Sequence, residues 1–88
     1  MASFKVVPKP SLEKDLRSLP KSIIVRVMKQ IEELATDPLP RKAIKLGGGE
    51  DLYRVRVGDY RVVYGIDRAA KLLTIHYVRH RRDVYRRL

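Results

Sequence analysis

The 88-residue chain has no cysteine, no tryptophan and a single phenylalanine, and it holds only 10 acidic side chains against 20 basic ones. Without cysteine there are no disulfide staples and no thiolate zinc sites, which suits a reducing compartment. No run of eighteen apolar residues offers a membrane span, and Met1 to Pro8 holds no apolar core long enough for a signal peptide. A cytoplasmic protein without membrane association is expected. Acids are too scattered for a magnesium site: the second half contributes only Asp59, Asp67 and Asp83, so no metal or other cofactor is expected. Gly47-Gly48-Gly49 invites comparison with a phosphate loop, but no Gly-Lys-Ser/Thr follows and no helix starts directly after it, so it reads as a turn.

What the chain has in quantity is positive charge, +10 formally with a pI near 10.3. It is unevenly spread. Residues 1–52 hold 10 basic and 7 acidic side chains, whereas residues 53–88 hold 10 basic and 3 acidic, and nine of those ten are arginine. Arginine grips phosphate with a planar fork, where lysine supplies only a point charge. A surface charged for solubility would mix in lysine and acid, so the composition points to a polyanionic partner. With 44% hydrophobic residues the chain suffices for one domain, 1–88, with a modest core.

Two stretches of period-two alternation, Leu52 to Val57 and Tyr60 to Ile66, meet at Gly58-Asp59 and read as a β-hairpin with a two-residue loop. Such a loop sets the register: Val57 opposes Tyr60, Arg56 opposes Arg61, Val55 opposes Val62, Arg54 opposes Val63 and Tyr53 opposes Tyr64. One face, Tyr53, Val55, Val57, Tyr60, Val62 and Tyr64, belongs to a core. The other, expected to stay exposed, carries Arg54, Arg56 and Arg61. Two arginines directly across from each other cost roughly 0.2–1 kcal/mol unless an anion lies over them.

Before the hairpin, Phe4 to Val7 is a short strand at or near a sheet edge, stopped by Pro8 and Pro10. Ser11 can cap a helix with Leu12, Leu16 and Leu19 on one face. After Leu19-Pro20 a second helix carries the stripe Ile23, Val27, Ile31 and Leu34, and Asp37-Pro38-Leu39-Pro40 ends it. Arg41 to Lys45 reads as a cationic linker. After a turn at Asp67 to Lys71, Leu72 to Val78 forms a last strand, with Leu73, Ile75 and Tyr77 on one side and Thr74 and His76 on the other. The expected fold is α+β, a mostly antiparallel sheet of about four strands with an N-terminal helical pair on one face.

The tail from Arg79 to Leu88 leaves the last strand directly. Folded back over the arginine face, Arg79, Arg81 or Arg82, with His80 and Tyr85, would join Arg54, Arg56 and Arg61 in one basic concavity suited to RNA. Arginines stabilise a dianionic phosphorane, a tyrosine stacks on a base, and a histidine moves protons near neutrality. Duller roles exist for each. Arg54 and Arg56 alone could be a solvated strand face, His76 a packed or surface histidine, Tyr85 a hydrophobic anchor beside Val84, and Arg86 and Arg87 nonspecific contacts.

Two segments, Leu52-Tyr53-Arg54-Val55-Arg56-Val57-Gly58-Asp59-Tyr60-Arg61-Val62-Val63-Tyr64 and Val78-Arg79-His80-Arg81-Arg82-Asp83-Val84-Tyr85, closely resemble the RelE branch of the RelE/ParE toxin superfamily of toxin–antitoxin systems. The break at Leu19-Pro20, the stop at Asp37-Pro38 and Lys45-Leu46-Gly47 add to the likeness. The resemblance implies a microbial ribonuclease-type fold and metal-independent cleavage of messenger RNA in the ribosomal A site, leaving a 2′,3′-cyclic phosphate and a 5′-hydroxyl. It also implies a RelB-like antitoxin, in a complex that binds operator DNA through the antitoxin. By position, Arg54 and Arg56 match two basic strand residues, Arg61 the transition-state arginine, Arg81 the basic residue after the last strand, and Tyr85 the C-terminal aromatic. His80 is a further catalytic candidate as proton carrier, and Arg79, Arg82, Arg86 and Arg87 are candidates for RNA binding. Some family members have lysine where this chain has Arg54 and Arg56, and arginine is too weakly acidic to serve readily as a general base. A gyrase-inhibiting ParE-like toxin and a noncatalytic RNA- or ribosome-binding relative are the competing functions.

Overall fold

The backbone turns through the left-handed region at Gly58 (φ +60°), and Asp59 does not, so the two-residue loop is of the type with glycine first. Around it a computed structural model describes residues 3–46 and 51–80. The elements are β1 (Lys5–Pro8), α1 (Pro10–Arg17), α2 (Lys21–Thr36), β2 (Ile44–Lys45), β3 (Leu52–Val57), β4 (Tyr60–Asp67) and β5 (Leu72–His80). The strands form one sheet in the order β1-β5-β4-β3-β2, antiparallel except for the parallel β1/β5 pair. The class is the α+β fold expected, with five strands where about four were expected. The added strand is β2, at the far edge, where Ile44 pairs with Arg54 and Lys45 with Tyr53. Two residues are too few to show alternation, so the segment reads as linker in sequence.

The hairpin register is the one the loop length requires, from Val57↔Tyr60 through Arg56↔Arg61 to Tyr53↔Tyr64. Its apolar face joins a core in which Val27, Ile31 and Leu34 of α2 and Leu12 of α1 pack with Tyr53, Val55, Val57, Val62, Tyr64, Leu73, Ile75 and Val78. Pro10 begins α1, one residue before the expected cap, and the hydroxyl of Ser11 instead donates to the carbonyl of His76 (2.6 Å). Asp15, one turn on, accepts from the Val78 amide (3.3 Å). Both bonds fall on the edge of β5 beyond Ile75, where pairing with β1 has ended, so α1 takes over edge groups that the strand leaves open.

Tyr64, fully buried on the central strand, donates its hydroxyl to the Pro38 carbonyl (2.7 Å) and ties the end of α2 to the sheet. Burial, then Tyr53 and Asp37, pushes that hydroxyl up to about 12. Tyr64→Phe leaves the Pro38 carbonyl without this donor, and urea unfolding should show a loss of about 1–2 kcal/mol at pH 7. The raised value stabilises the folded state fully below the ordinary tyrosine value near 10 and decreasingly as pH rises toward 12. Tyr64→Phe should therefore lack that part of the alkaline decline; an unchanged alkaline profile would contradict the assignment.

The last strand departs from strict alternation. Val63 pairs with Tyr77 and Tyr64 with Ile75, so His76 is an extra residue in a β-bulge. Up to Ile75 the odd-numbered residues face the core, and after the bulge Val78 does. Tyr77, expected beside Leu73 and Ile75, is therefore turned to the other face, and Arg79 goes with it. Among the described residues no helix is long and apolar enough to cross a membrane.

Candidate nucleic-acid interface

The bulge aligns three arginines across the face of the sheet opposite the helices. Arg56 on β3 pairs with Arg61 on β4, and Arg61 with Arg79 on β5. At the spacing of neighbouring strands, about 4.8 Å, the row spans roughly 10 Å of backbone. The next row along the same face holds Ile44, Arg54, Val63 and Tyr77. Hairpin geometry places Arg54, Arg56 and Arg61; register slippage in β5 places Arg79 and Tyr77.

Arg61 is buried, at 8% exposure, and the neighbouring Val63 at 3%. The face is thus more enclosed than the exposed surface expected from the hairpin alone, because β4 is the central strand of five with long side chains on both sides. Of the five donors of Arg61, one bonds protein, Nη1 to the carbonyl of Tyr60 (3.2 Å), and no carboxylate of the described residues lies within ion-pair distance. Burying a guanidinium with so little compensation is costly unless an anion arrives. Arg56 is exposed and donates from Nε to the carbonyl of Gly58 (2.9 Å). Arg79 lies over the ring of Tyr77, 4.4 Å from its centroid, with Nε 3.7 Å from Asp15. Asp15 is the one carboxylate that reaches the row among the described residues, so three guanidinium groups face one counter-charge.

His80 is not brought to this face. It pairs with Tyr60 and meets that ring edge-on, centroids 5.4 Å apart, on the side of Val78. The bulge is the reason: the one-residue shift that turns Arg79 toward Arg61 turns His80 away, correcting the expected concavity. His76 is on the arginine side, with Nε2 only 3.1 Å from where a side chain at Gly65 would begin. It lines a shallow depression of about 290 Å³ with Lys9, Asp51, Leu52, Thr74 and Asp67. Nearby, the Arg68 guanidinium bonds Asp51 (3.0 Å) and holds its carboxyl below the usual range. Arg68 is thereby committed to an ion pair away from the row. Arg81, Arg82, Tyr85, Arg86 and Arg87, like the Gly47-Gly48-Gly49 turn, lie outside the described residues. Asp15 and Tyr77 are neighbours of Arg79 only because of the bulge, which no residue pattern in the sequence marks.

Two helices on one face of a five-stranded, mostly antiparallel sheet match the fold of solved RelE toxins. The family model for the ParE toxin of type II toxin–antitoxin systems matches residues 6–85, and the chain belongs to that family, within the RelE/ParE superfamily. A curated relative from Methanocaldococcus jannaschii, named "Putative toxin RelE1", is 33% identical over 76 residues, covering 83% of this chain and 84% of that protein. The toxin in the archaeal RelE–RelB complex from Pyrococcus horikoshii OT3 is similar at 37% identity, with a TM-score of 0.81 over 90% of this chain and 96% of that one. The RelBE2 toxin–antitoxin complex from Mycobacterium tuberculosis contains a chain similar at 28% identity, with a TM-score of 0.79 over 91% and 93%. The chain is a RelE-type toxin by these likenesses.

Proposed function

We propose that the chain is a ribosome-dependent messenger RNA endonuclease that cuts in the A site and so inhibits translation. The observation that carries this reading is Arg61, a residue buried to 8% exposure with no carboxylate partner among the described residues, flanked on both strands by further arginines. An RNA phosphate supplies the missing anion. In the reaction the ribose 2′-oxygen attacks phosphorus, the bond to the 5′-oxygen breaks, and a 2′,3′-cyclic phosphate and a 5′-hydroxyl result. Charge develops on the non-bridging oxygens of the phosphorane, where Arg61 and Arg56 provide preorganised donors, with no metal ion needed for that task. Arg54 and Arg79 orient the strand. Arg81 stabilises the leaving oxygen and Tyr85 stacks a base, with Arg82, Arg86 and Arg87 adding phosphate contacts. The 2′-hydroxyl proton passes to solvent and the departing 5′-oxygen takes one up; none of the row's arginines serves as the base, and His80 faces away from the row.

The partner in this reading is a RelB-like antitoxin, as in the RelE–RelB complexes to which the chain is similar. An acidic segment folding over the arginine row would neutralise it, and the complex would bind operator DNA through the antitoxin. Primer extension on translated transcripts tests the activity. Codon-phased cuts that require ribosomes are expected. The matched family also bears the name of ParE, so a gyrase supercoiling assay belongs beside it. Inhibition of supercoiling at stoichiometric ratio, with translation unaffected, would reverse the assignment.

A further inference from the structure

A second basic cavity opens on the other side of the hairpin tip. It has a volume of about 310 Å³ and is walled by Arg26, Lys29, Gln30 and Glu33 of α2, Lys42 of the α2–β2 connection, and Arg56 and Val57 of β3. Three features mark it as built for an anion. Its four cations come from three separate segments, and none of Arg26, Lys29 and Lys42 is within ion-pair distance of a carboxylate among the described residues, although Glu33 shares the cavity. Gln30, buried to 6% exposure as a residue, is the one neutral polar side chain among the described residues of the cavity wall. The Arg26 guanidinium lies against Gly58, with Nη1 3.2 Å from where a Cβ would sit, so the glycine gives it room.

Arg56 belongs to both this cavity and the arginine row. One guanidinium shared by two cationic sites gives a path for a polymer with a charge at every repeat. We infer that the cavity is a second phosphate subsite, holding a phosphodiester of the same RNA chain one or more nucleotides from the phosphate at Arg61. Four cations against one carboxylate match a phosphate, and the Gln30 amide supplies a neutral donor to its oxygens. The inference rests on the RNA-binding reading above but not on cleavage.

The test measures affinity against salt for a 12-nucleotide 2′-O-methyl RNA, using the full chain. Each single-strand phosphate contact contributes about 0.7 to the slope of log affinity on log salt. The triple variant Arg26→Ala/Lys29→Ala/Lys42→Ala should have a slope shallower by about 0.7, so that between 50 and 200 mM salt the wild type loses about 2.5-fold more affinity than the variant. A control of equal charge change, Lys5→Ala/Lys14→Ala/Lys71→Ala, should keep the wild-type slope. Glu33→Gln should tighten binding about two- to five-fold, which no failure to fold could imitate. Equal slopes for wild type and cavity variant overturn the subsite. So does a cavity variant that loses affinity for a polyglutamate peptide but keeps its RNA slope. Absence of cleavage by the wild type, with the slope difference intact, would overturn the nuclease reading and leave the subsite standing.

Discussion

Arg61→Met is expected to fold at least as stably as the wild type while its single-turnover cleavage rate on programmed ribosomes falls by about 10²–10³-fold. The two effects have one cause. Arg61 is 8% exposed, with one hydrogen bond and no carboxylate partner among the described residues, so its charge sits largely out of water with little compensation from protein. Methionine fills similar volume without a charge and removes that penalty, which raises stability by roughly 1 kcal/mol. The same change removes the donors that would meet the phosphorane oxygens. Arg61→Lys keeps the charge but loses the fork, and its rate should fall between the two. Urea unfolding and single-turnover kinetics on the same preparations decide the matter. Loss of stability and activity together would make Arg61 a structural residue.

Arg56→Glu should separate stability from function in the same direction by a different route. Arg56 stands directly opposite Arg61, and like charges so placed repel. A glutamate there turns the repulsion into a cross-strand attraction worth about 0.2–1 kcal/mol. RNA affinity near physiological salt should meanwhile fall by about 10–100-fold, because a phosphate contact is lost and a negative charge put in its place. A variant less stable than the wild type, or one binding RNA as well, would show that the opposed arginines are not kept for an anion.

Much of this arrangement was legible in the chain because a two-residue loop leaves a hairpin only one register. Gly58-Asp59 therefore settled that Arg56 faces Arg61 and that Tyr53, Val55, Val62 and Tyr64 lie in the core. The apolar stripe Val27, Ile31 and Leu34 was equally plain, since a spacing of three and four residues has one reading at that length. Two things were not legible. Ile44–Lys45 is too short to carry a period, and its pairing with β3 depends on where the chain returns after α2. The bulge at His76 has no local signature, being set by how β5 meets both β4 and β1. Its consequence is large, because a single extra residue decides that Arg79 and Tyr77 share the face of Arg61 and that His80 shares the face of Tyr60. Alternation carried past Ile75 without that shift assigns all three to the wrong side.

In the proposed mechanism Arg56, Arg61 and Arg79 act together as one phosphate-binding row. The most direct test of that joint action is the guanidinium region of a ¹⁵N-correlated NMR spectrum, followed while the full chain is titrated with a 2′-O-methyl RNA that cannot be cut. Arg17 and Arg68 serve as internal references, each already 3.0 Å from a carboxylate partner, Glu13 and Asp51. The Nε–H signals of Arg56, Arg61 and Arg79 should shift along one common binding curve, with those of Arg17 and Arg68 unmoved. Signals at the row that stay still while RNA binds, or that move no more than those of Arg17 and Arg68, would contradict it.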